Sequence, residues 1–513
     1  MEWDKLLTKG KEVPEPYLES KSWEKYQINE FEKDYKKIIA SVSFRRLQDK
    51  TQVFPLDKSD FVRTRLTHSI EASMIAKQLG VMVYKGYSDW INDPKNKGKT
   101  STGTPPMTPE NAQEICDVLT CAGLLHDLGN PPFGHFGETV IGEWFQNHFK
   151  EEASTWSQLP AQCRLDLQHF EGNAQCFRML TKCSRAQPDS KFNGNLNLTY
   201  AVIQTLMKYP TDSEHFSDKD PDVKKHKNGY LFAGKEHLEK IAKKTETFIN
   251  GEIVRHPLTF LLEAADDIAY ATADIEDALK KGLFTLAEFA GFYKEEVEKI
   301  GGEYLKSYKE EAKVIEDQKG YSVKLIEFLS TLLGNAKTVE DDLNAFNVWV
   351  RYAREWLMYC AAYGFIHNYH AIMEGKFSDE LLTGTFHGIT IQVLKEAMKH
   401  FVYETNDILK LELSAQTIIS FLLDRFVPAA LHCDMTIDQN GNIEVFKNDS
   451  ATGADKKCMN LIPDNYKNDY LNDKKPDDAN YNLYLRLLMV CDYISGMTDS
   501  FAKNLYQELH GII

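Results

Sequence analysis

Adjacent His126 and Asp127 stand where a strongly apolar, helix-forming run ends, and a Gly/Pro-rich turn separates them from His135 and Glu138. An imidazole and a carboxylate at a helix end can hold a divalent cation, while a rigid turn brings a second His and a Glu over it. His-Asp pairs also occur without any such role, so the wider set matters. Arg65 precedes His68 by three residues, which puts both on one face if a helix starts there. Downstream, Asp266 sits among Leu261, Leu262, Ala265 and Ile268, where burying a carboxylate is costly unless it has a partner. Asp266, Tyr270 and Asp274 recur every four residues, drift by only about 40° per step and share a helix face. A solvated acidic face is the alternative for this helix, and it suits Glu276 and Asp277 better than Asp266.

The elements that must position these residues read as helices. Ile115, Val118, Leu119, Ala122 and Leu125 form one stripe at 3.6-residue spacing, with Thr108 as N-cap and Pro109 in the first turn. This helix should end at Gly129, because Pro131 and Pro132 cannot continue it. The runs 68–79, 257–281 (closed by Gly282) and 415–426 show the same periodicity. Three stretches, 88–108, 212–229 and 436–480, read as loops or insertions. The last carries one hairpin, in which 435–437 and 443–446 flank an Asn440-Gly441 turn. The expected architecture is all-α, a mainly helical body with loop insertions and a small β-hairpin excursion. Residues 1–40 form an N-terminal extension and 41–435 the body, with insertions near 88–108 and 212–229. Residues 436–513 form the hairpin and loop excursion and a C-terminal helical segment packed on that body.

Composition narrows the function classes. In 513 residues, 42% apolar and 12% aromatic content supplies a sizeable core. A net charge of −16 argues against an overall nucleic-acid coat and leaves room only for a local basic pocket, as a small polyanion would need. The first twenty residues hold no signal-peptide core, and no run approaches 18 uninterrupted apolar residues, so a cytoplasmic protein with no membrane partner is expected. Nine cysteines with no CxxC pair fit reduced thiols rather than a disulfide framework.

The spaced set His68, His126-Asp127 and Asp266 resembles the H…HD…D signature of the HD superfamily. Five longer blocks are more specific: RRLQDKTQVFPLDKSDFVRTRLTHS (45–69), LLHDLGNPPFGHFGE (124–138), HFEGNAQ (169–175), EAADDIAYATADIEDA (263–278) and DYISGMTD (492–499). In this order they resemble the bacterial deoxyguanosine triphosphate triphosphohydrolases from residue 45 almost to the C-terminus. The resemblance implies that His68, His126, Asp127 and Asp266 ligate one divalent metal, and two nitrogens with two carboxylates suit Mn²⁺ or Mg²⁺. It implies that His135 and Glu138 are the catalytic pair, the carboxylate orienting the imidazole; a plain first-turn acid is the alternative for Glu138.

By the same resemblance, Arg65, Asn173, Lys208, Tyr209 and Lys227 meet the phosphates, although Lys227 also fits a solvated surface position. Gln52 and Asp274 resemble contacts to a deoxyribose 3′-hydroxyl, and Tyr270 a neighbour of sugar and phosphate. Glu412 falls in a stretch that contributes to the nucleobase pocket, where a carboxylate accepts from guanine N1–H and N2–H₂; a surface helix glutamate is the other reading. The implied activity is hydrolysis of dGTP to deoxyguanosine and tripolyphosphate, with a broad dNTP triphosphohydrolase or a non-catalytic nucleotide or single-stranded-DNA sensor as alternatives. A symmetric homo-oligomer such as a hexamer and a single-stranded-DNA effector are also implied. The segment NLIPDNYKNDYLNDKK departs from the family's arginine-bearing text.

Overall fold

The stripe at 115–125 does form a helix, Pro109–Leu125, and Thr108 fixes its start. The Thr108 hydroxyl accepts from the Asn111 amide at 3.3 Å, and the Asn111 side chain accepts from the Thr108 amide at 3.2 Å. The architecture comes from a computed structural model that describes residues 1–13, 28–56, 59–92, 106–151, 156, 158–183, 196–307, 312–334, 338–385, 387–403, 405–448 and 450–512. The helix ends at Leu125 rather than at the expected Gly129. Residues 126–129 turn away and press against a second segment: a Cβ on Gly129 would stand 2.1 Å from the Gly172 carbonyl oxygen.

The helices that build the site are α1 (Arg65–Asn92), α2 (Pro109–Leu125), α3 (Gly134–Glu151), α4 (Gly172–Thr181) and α5 (Pro257–Lys280). They are followed by α6 (Val339–His367) and α7 (Asn406–His432). Helices α1 and α7 extend well beyond the expected 68–79 and 415–426. Apolar periodicity marks only the part of a helix that touches a core, and their polar ends carry no such signal. Helix α5 has nearly the expected span, and Gly282 behind it takes the left-handed conformation at φ +71°.

Two cores lie side by side. In the first, α1 packs on α2, α5 and α6, burying Ile75, Leu79, Leu119, Leu261, Ile268 and Leu357. Each such side chain contributes about 1.5–3 kcal/mol by leaving water. In the second, α7 packs on α3 and on the C-terminal helices, burying Ile141, Phe145, Ile419, Phe426, Leu488 and Ile494. Strands are minor: β1 (Phe248–Ile249) pairs with β2 (Glu252–Ile253), and β3 (Cys433–Ile437) with β4 (Ile443–Lys447), both antiparallel. The β3–β4 hairpin is the expected one, with Gly441 at φ +83° in its turn.

The rest of 436–480 is not loop. It holds α8 (Gly453–Leu461) and α9 (Asp464–Asp473), before α10 (Ala479–Ser495) and α11 (Asp499–His510). A reciprocal Thr452–Asp455 cap starts α8, and Met459, Ile462, Tyr466 and Tyr470 bury against the second core, a pattern too short and polar to read as periodic. Of the expected insertion at 88–108, α1 takes 88–92, and 93–105 lie outside the described residues. Residues 212–229 are irregular apart from a 3₁₀ turn at Val223–Lys225. No disulfide joins any of the nine cysteines, and no described helix is long and apolar enough to cross a membrane.

Candidate active site

Three helices of the first core converge polar side chains on one point: α1 supplies His68, the end of α2 supplies His126 and Asp127, and α5 supplies Asp266. The Nε2 atoms of His68 and His126 are 3.3 Å apart, and Asp266 Oδ1 lies 3.1 Å from each. Asp127 Oδ2 is 3.7 Å from His126 Nε2 and 4.0 Å from His68 Nε2. Ligand atoms at right angles, about 2.1 Å from one ion, stand about 3 Å from each other. The spacing therefore suits a single divalent metal. The Gly123 carbonyl, 2.8 Å from His126 Nδ1, can only accept, so in the neutral imidazole that a metal requires the proton sits on Nδ1 and the Nε2 lone pair faces the cluster.

The surroundings hold the two carboxylates ionised. Arg65 Nη1 and Asn130 Nδ2 donate to Asp127 at 2.7 and 2.6 Å, and Lys208 Nζ donates to Asp266 Oδ2 at 2.6 Å. Burial pushes both acids up, but Arg65 pulls Asp127, and Lys208 with His126 pulls Asp266, well below the usual carboxylate range. Burial likewise pushes His126 down, and Asp266 with Asp127 more than reverses that. The cluster thus favours a positive charge at its centre, which a bound cation supplies.

The second core delivers the other pair. Phe133 and Gly134 both take left-handed backbone, φ +62° and +63°, and so turn the chain sharply into α3. A Cβ on Gly134 would meet Arg65 Nη2 at 2.5 Å and so would displace the guanidinium that holds Asp127. One residue on, His135 Nδ1 lies 3.1 Å from Glu138 Oε2, as their spacing predicts. The Glu138 side chain is 8% exposed and that of His135 71%. The Glu138 charge and hydrogen bond raise the His135 pKa; burial pushes Glu138 up, but His135 brings it below its ordinary value. Glu138 Oε1 is buried without a hydrogen-bond partner and stands where a Cβ on Gly172 would meet it at 2.5 Å.

Between the cores opens a cavity of about 580 Å³, lined by His68, His126, Asp127, Asp266 and His135. Its wall also holds Gln52, Arg65, Asn173, Lys208, Tyr209, Lys227, Tyr270 and Glu412, which sequence reading had scattered over 360 positions. Glu138 stands behind His135. Asp274 is the exception: it is not in the cavity wall. Two turns beyond Asp266 on α5 it is 1% exposed, neither carboxylate oxygen has a hydrogen-bond partner, and burial drives its pKa well up. The acidic composition left room for a local basic pocket, but the cavity wall is of mixed charge. Arg65, Lys208, Lys227 and Lys395 face six carboxylates in the wall, an excess of negative charge that a divalent cation would offset.

Several wall residues escaped the sequence. Glu263, Asp267, Glu380 and Lys395 line one side, with Lys395 Nζ 3.0 Å from Asp267 Oδ2. Glu380 and Lys395 come from segments with no motif around them. Glu171 accepts from Asn173 at 2.7 Å and pairs with Lys227 at 3.3 Å; like Asn130, it lies inside a recognised block and could have been read there.

Comparison with known proteins agrees with this geometry. The HD domain family model matches residues 65–171, and a phosphohydrolase-associated domain matches 457–508. A deoxyguanosinetriphosphate triphosphohydrolase-like protein of Listeria monocytogenes is 38% identical over the whole of both chains. One from Pseudomonas aeruginosa is 31% identical, covering 100% of this chain and 99% of its own. A deoxyguanosinetriphosphate triphosphohydrolase of Yersinia enterocolitica is 28% identical, over 96% of this chain and 95% of its own.

Proposed function

Since the chain belongs to the deoxyguanosinetriphosphate triphosphohydrolase family of HD-domain phosphohydrolases, we propose that it hydrolyses dGTP to deoxyguanosine and tripolyphosphate. One observation carries the reading: a single cavity holds both a His68–His126–Asp127 group able to take a metal, with Asp266 beside it, and an imidazole paired with a buried carboxylate.

His68, His126, Asp127 and Asp266 would hold one Mn²⁺ or Mg²⁺. When bound, that ion neutralises phosphate charge and makes water more acidic. The chain's own groups do the rest. Water attacks the α-phosphorus, the bond from phosphorus to the 5′ oxygen breaks, and His135 donates its proton to that oxygen as deoxyguanosine leaves. One water hydrogen stays on the new P–OH, the other passes to solvent, and solvent reprotonates His135. Glu138 keeps the imidazole protonated and fixes its orientation. Arg65, Lys208 and Lys227, with Asn173 and Tyr209, face the triphosphate, and Tyr270 and Gln52 face the sugar. Gln52 Oε1 is buried with no partner, the state expected of an acceptor awaiting a hydroxyl. Glu412, in the wall, is the acceptor for the guanine N1–H and N2–H₂ donors.

Catalysis is assigned to the body, 41–435, in a symmetric homo-oligomer, a hexamer, whose mass light scattering would read. A sensor of nucleotide or single-stranded DNA would bind without needing the His135–Glu138 pair. Turnover of each dNTP and rNTP with Mn²⁺ or Mg²⁺ tests the assignment. Preference for dGTP by at least tenfold in kcat/KM is expected; equal rates on all four dNTPs would replace it with a broad dNTP triphosphohydrolase, and no turnover would overturn it.

A further inference from the structure

The block DYISGMTD, at the end of α10 and the start of α11, reaches the site although none of it lines the main cavity. Asp499 is 2% exposed. Its Oδ1 accepts from the Phe133 amide at 2.9 Å, and its Oδ2 accepts from the Thr51 amide at 3.0 Å and from the Thr51 hydroxyl. Phe133 is the left-handed residue that turns the chain into α3, two positions before His135. Thr51 precedes Gln52 and pairs in a β-bridge with Thr64, next to Arg65. One buried carboxylate therefore ties the start of the proton-transfer helix to the start of the metal-ligand helix.

The same block makes two further ties. Lys50 Nζ donates to the Ser495 and Asn130 carbonyls at 2.6 Å each, and the Asn130 side chain holds Asp127. Asp492 accepts from Arg178 and Gln175 on α4, the helix that carries Asn173. A non-glycine residue at positive φ costs about 1–3 kcal/mol and persists only where its surroundings over-determine it. Asp499 holds the Phe133 amide in that turn, beside the hydrogen bond from the Gly134 amide to the Pro131 carbonyl at 3.2 Å.

We propose that Asp499 is a positioning residue for the hydrolysis: by clamping Phe133 and Thr51 together it sets His135 at the right distance from the metal cluster. Side chains that hold reacting groups in this way affect rate without touching substrate. The proposal rests on the reading of His135 as proton donor. His135 faces Glu138, Lys227 and Arg65, so moving it changes its protonation as well as its place.

The test is Asp499→Asn in the full chain, whose amide NH₂ opposes the Thr51 or the Phe133 donor. Bound metal should stay stoichiometric. Hydrogen exchange of peptides spanning 128–136 and 48–56 should quicken at least tenfold while α5 and α6 stay protected. For dGTP, kcat should fall about 10–100-fold, the factor usual for groups that orient a site, and the basic limb of the kcat–pH profile should move. A lower kcat with an unmoved limb and unchanged exchange at 128–136 would overturn the clamp, as would wild-type kinetics. If Asp499→Asn does not fold, Thr51→Val, which removes one hydroxyl, should show the same changes in smaller measure; its absence of effect on exchange and limb would overturn the clamp too. Exchange is read without turnover, so an inactive wild type would sink the proposed function and still leave the clamp to be judged.

Discussion

The proposed metal-ligand cluster and the His135–Glu138 pair differ in how they are held. The cluster is rooted in three helices of the first core, and each carboxylate in it already has an Arg or Lys partner. His135 stands on the rim of the second core, 71% exposed in its side chain, where its ring bonds to Glu138. The buried half is arranged to keep a fixed charge state, and the exposed half can exchange a proton with substrate and solvent. A hydrolase needs both, and the junction of two cores lets each be built without compromising the other.

The strongest way to break this division is to remove a buried ligand. Asp266→Ala or His126→Ala should lose metal and activity together, because each deletes one of two cluster atoms that stand 3.1 Å apart. Full metal occupancy by elemental analysis in either variant would refute the ligand set. On the other side, His135→Ala should keep its metal and lose about 10²–10⁴ in kcat. A variant within threefold of wild type would remove the proton-transfer role.

A smaller effect separates orientation from charge. Glu138 raises the His135 pKa above its ordinary 6.5, and activity that needs the protonated imidazole is lost as pH rises through that raised value. Glu138→Gln removes the charge, so the basic limb should move to lower pH; an unchanged limb would mean that His135 is not the titrating acid.

The smallest effect concerns Asp274, buried away from the cavity. Below its ordinary value of 3.8 it is protonated in folded and unfolded chains alike. As pH rises, the unfolded chain gives up the proton while the folded chain retains it, so stability falls until the raised folded value is passed. Asp274→Asn should flatten the loss of melting temperature above about pH 4, and an equal slope in both proteins would show that Asp274 is already paired in solution.

What the sequence made legible follows from distance along the chain. His126, Asp127, His135 and Glu138 share thirteen residues with a Gly/Pro turn between them, so their meeting could be inferred locally. Asp266 was legible because a carboxylate among leucines needs a partner. Glu380, Lys395 and Asp499 were not assigned, because only the packing of distant helices brings them to the site. Asp274 was legible in direction only: a shared helix face aims it with Asp266 and Tyr270, yet two turns displace it by about 12 Å along the axis, outside the cavity wall. The helices α8 and α9 were missed because capping and tertiary burial, rather than an apolar stripe, hold them in place.

The most direct test of the account is the identity of the products. Purified full-length protein incubated with dGTP and Mn²⁺ or Mg²⁺ should release deoxyguanosine and intact tripolyphosphate in equal amounts, resolved by ion-exchange chromatography. Release of dGMP and pyrophosphate would place the leaving group on the other side of the α-phosphorus and contradict the role given to His135.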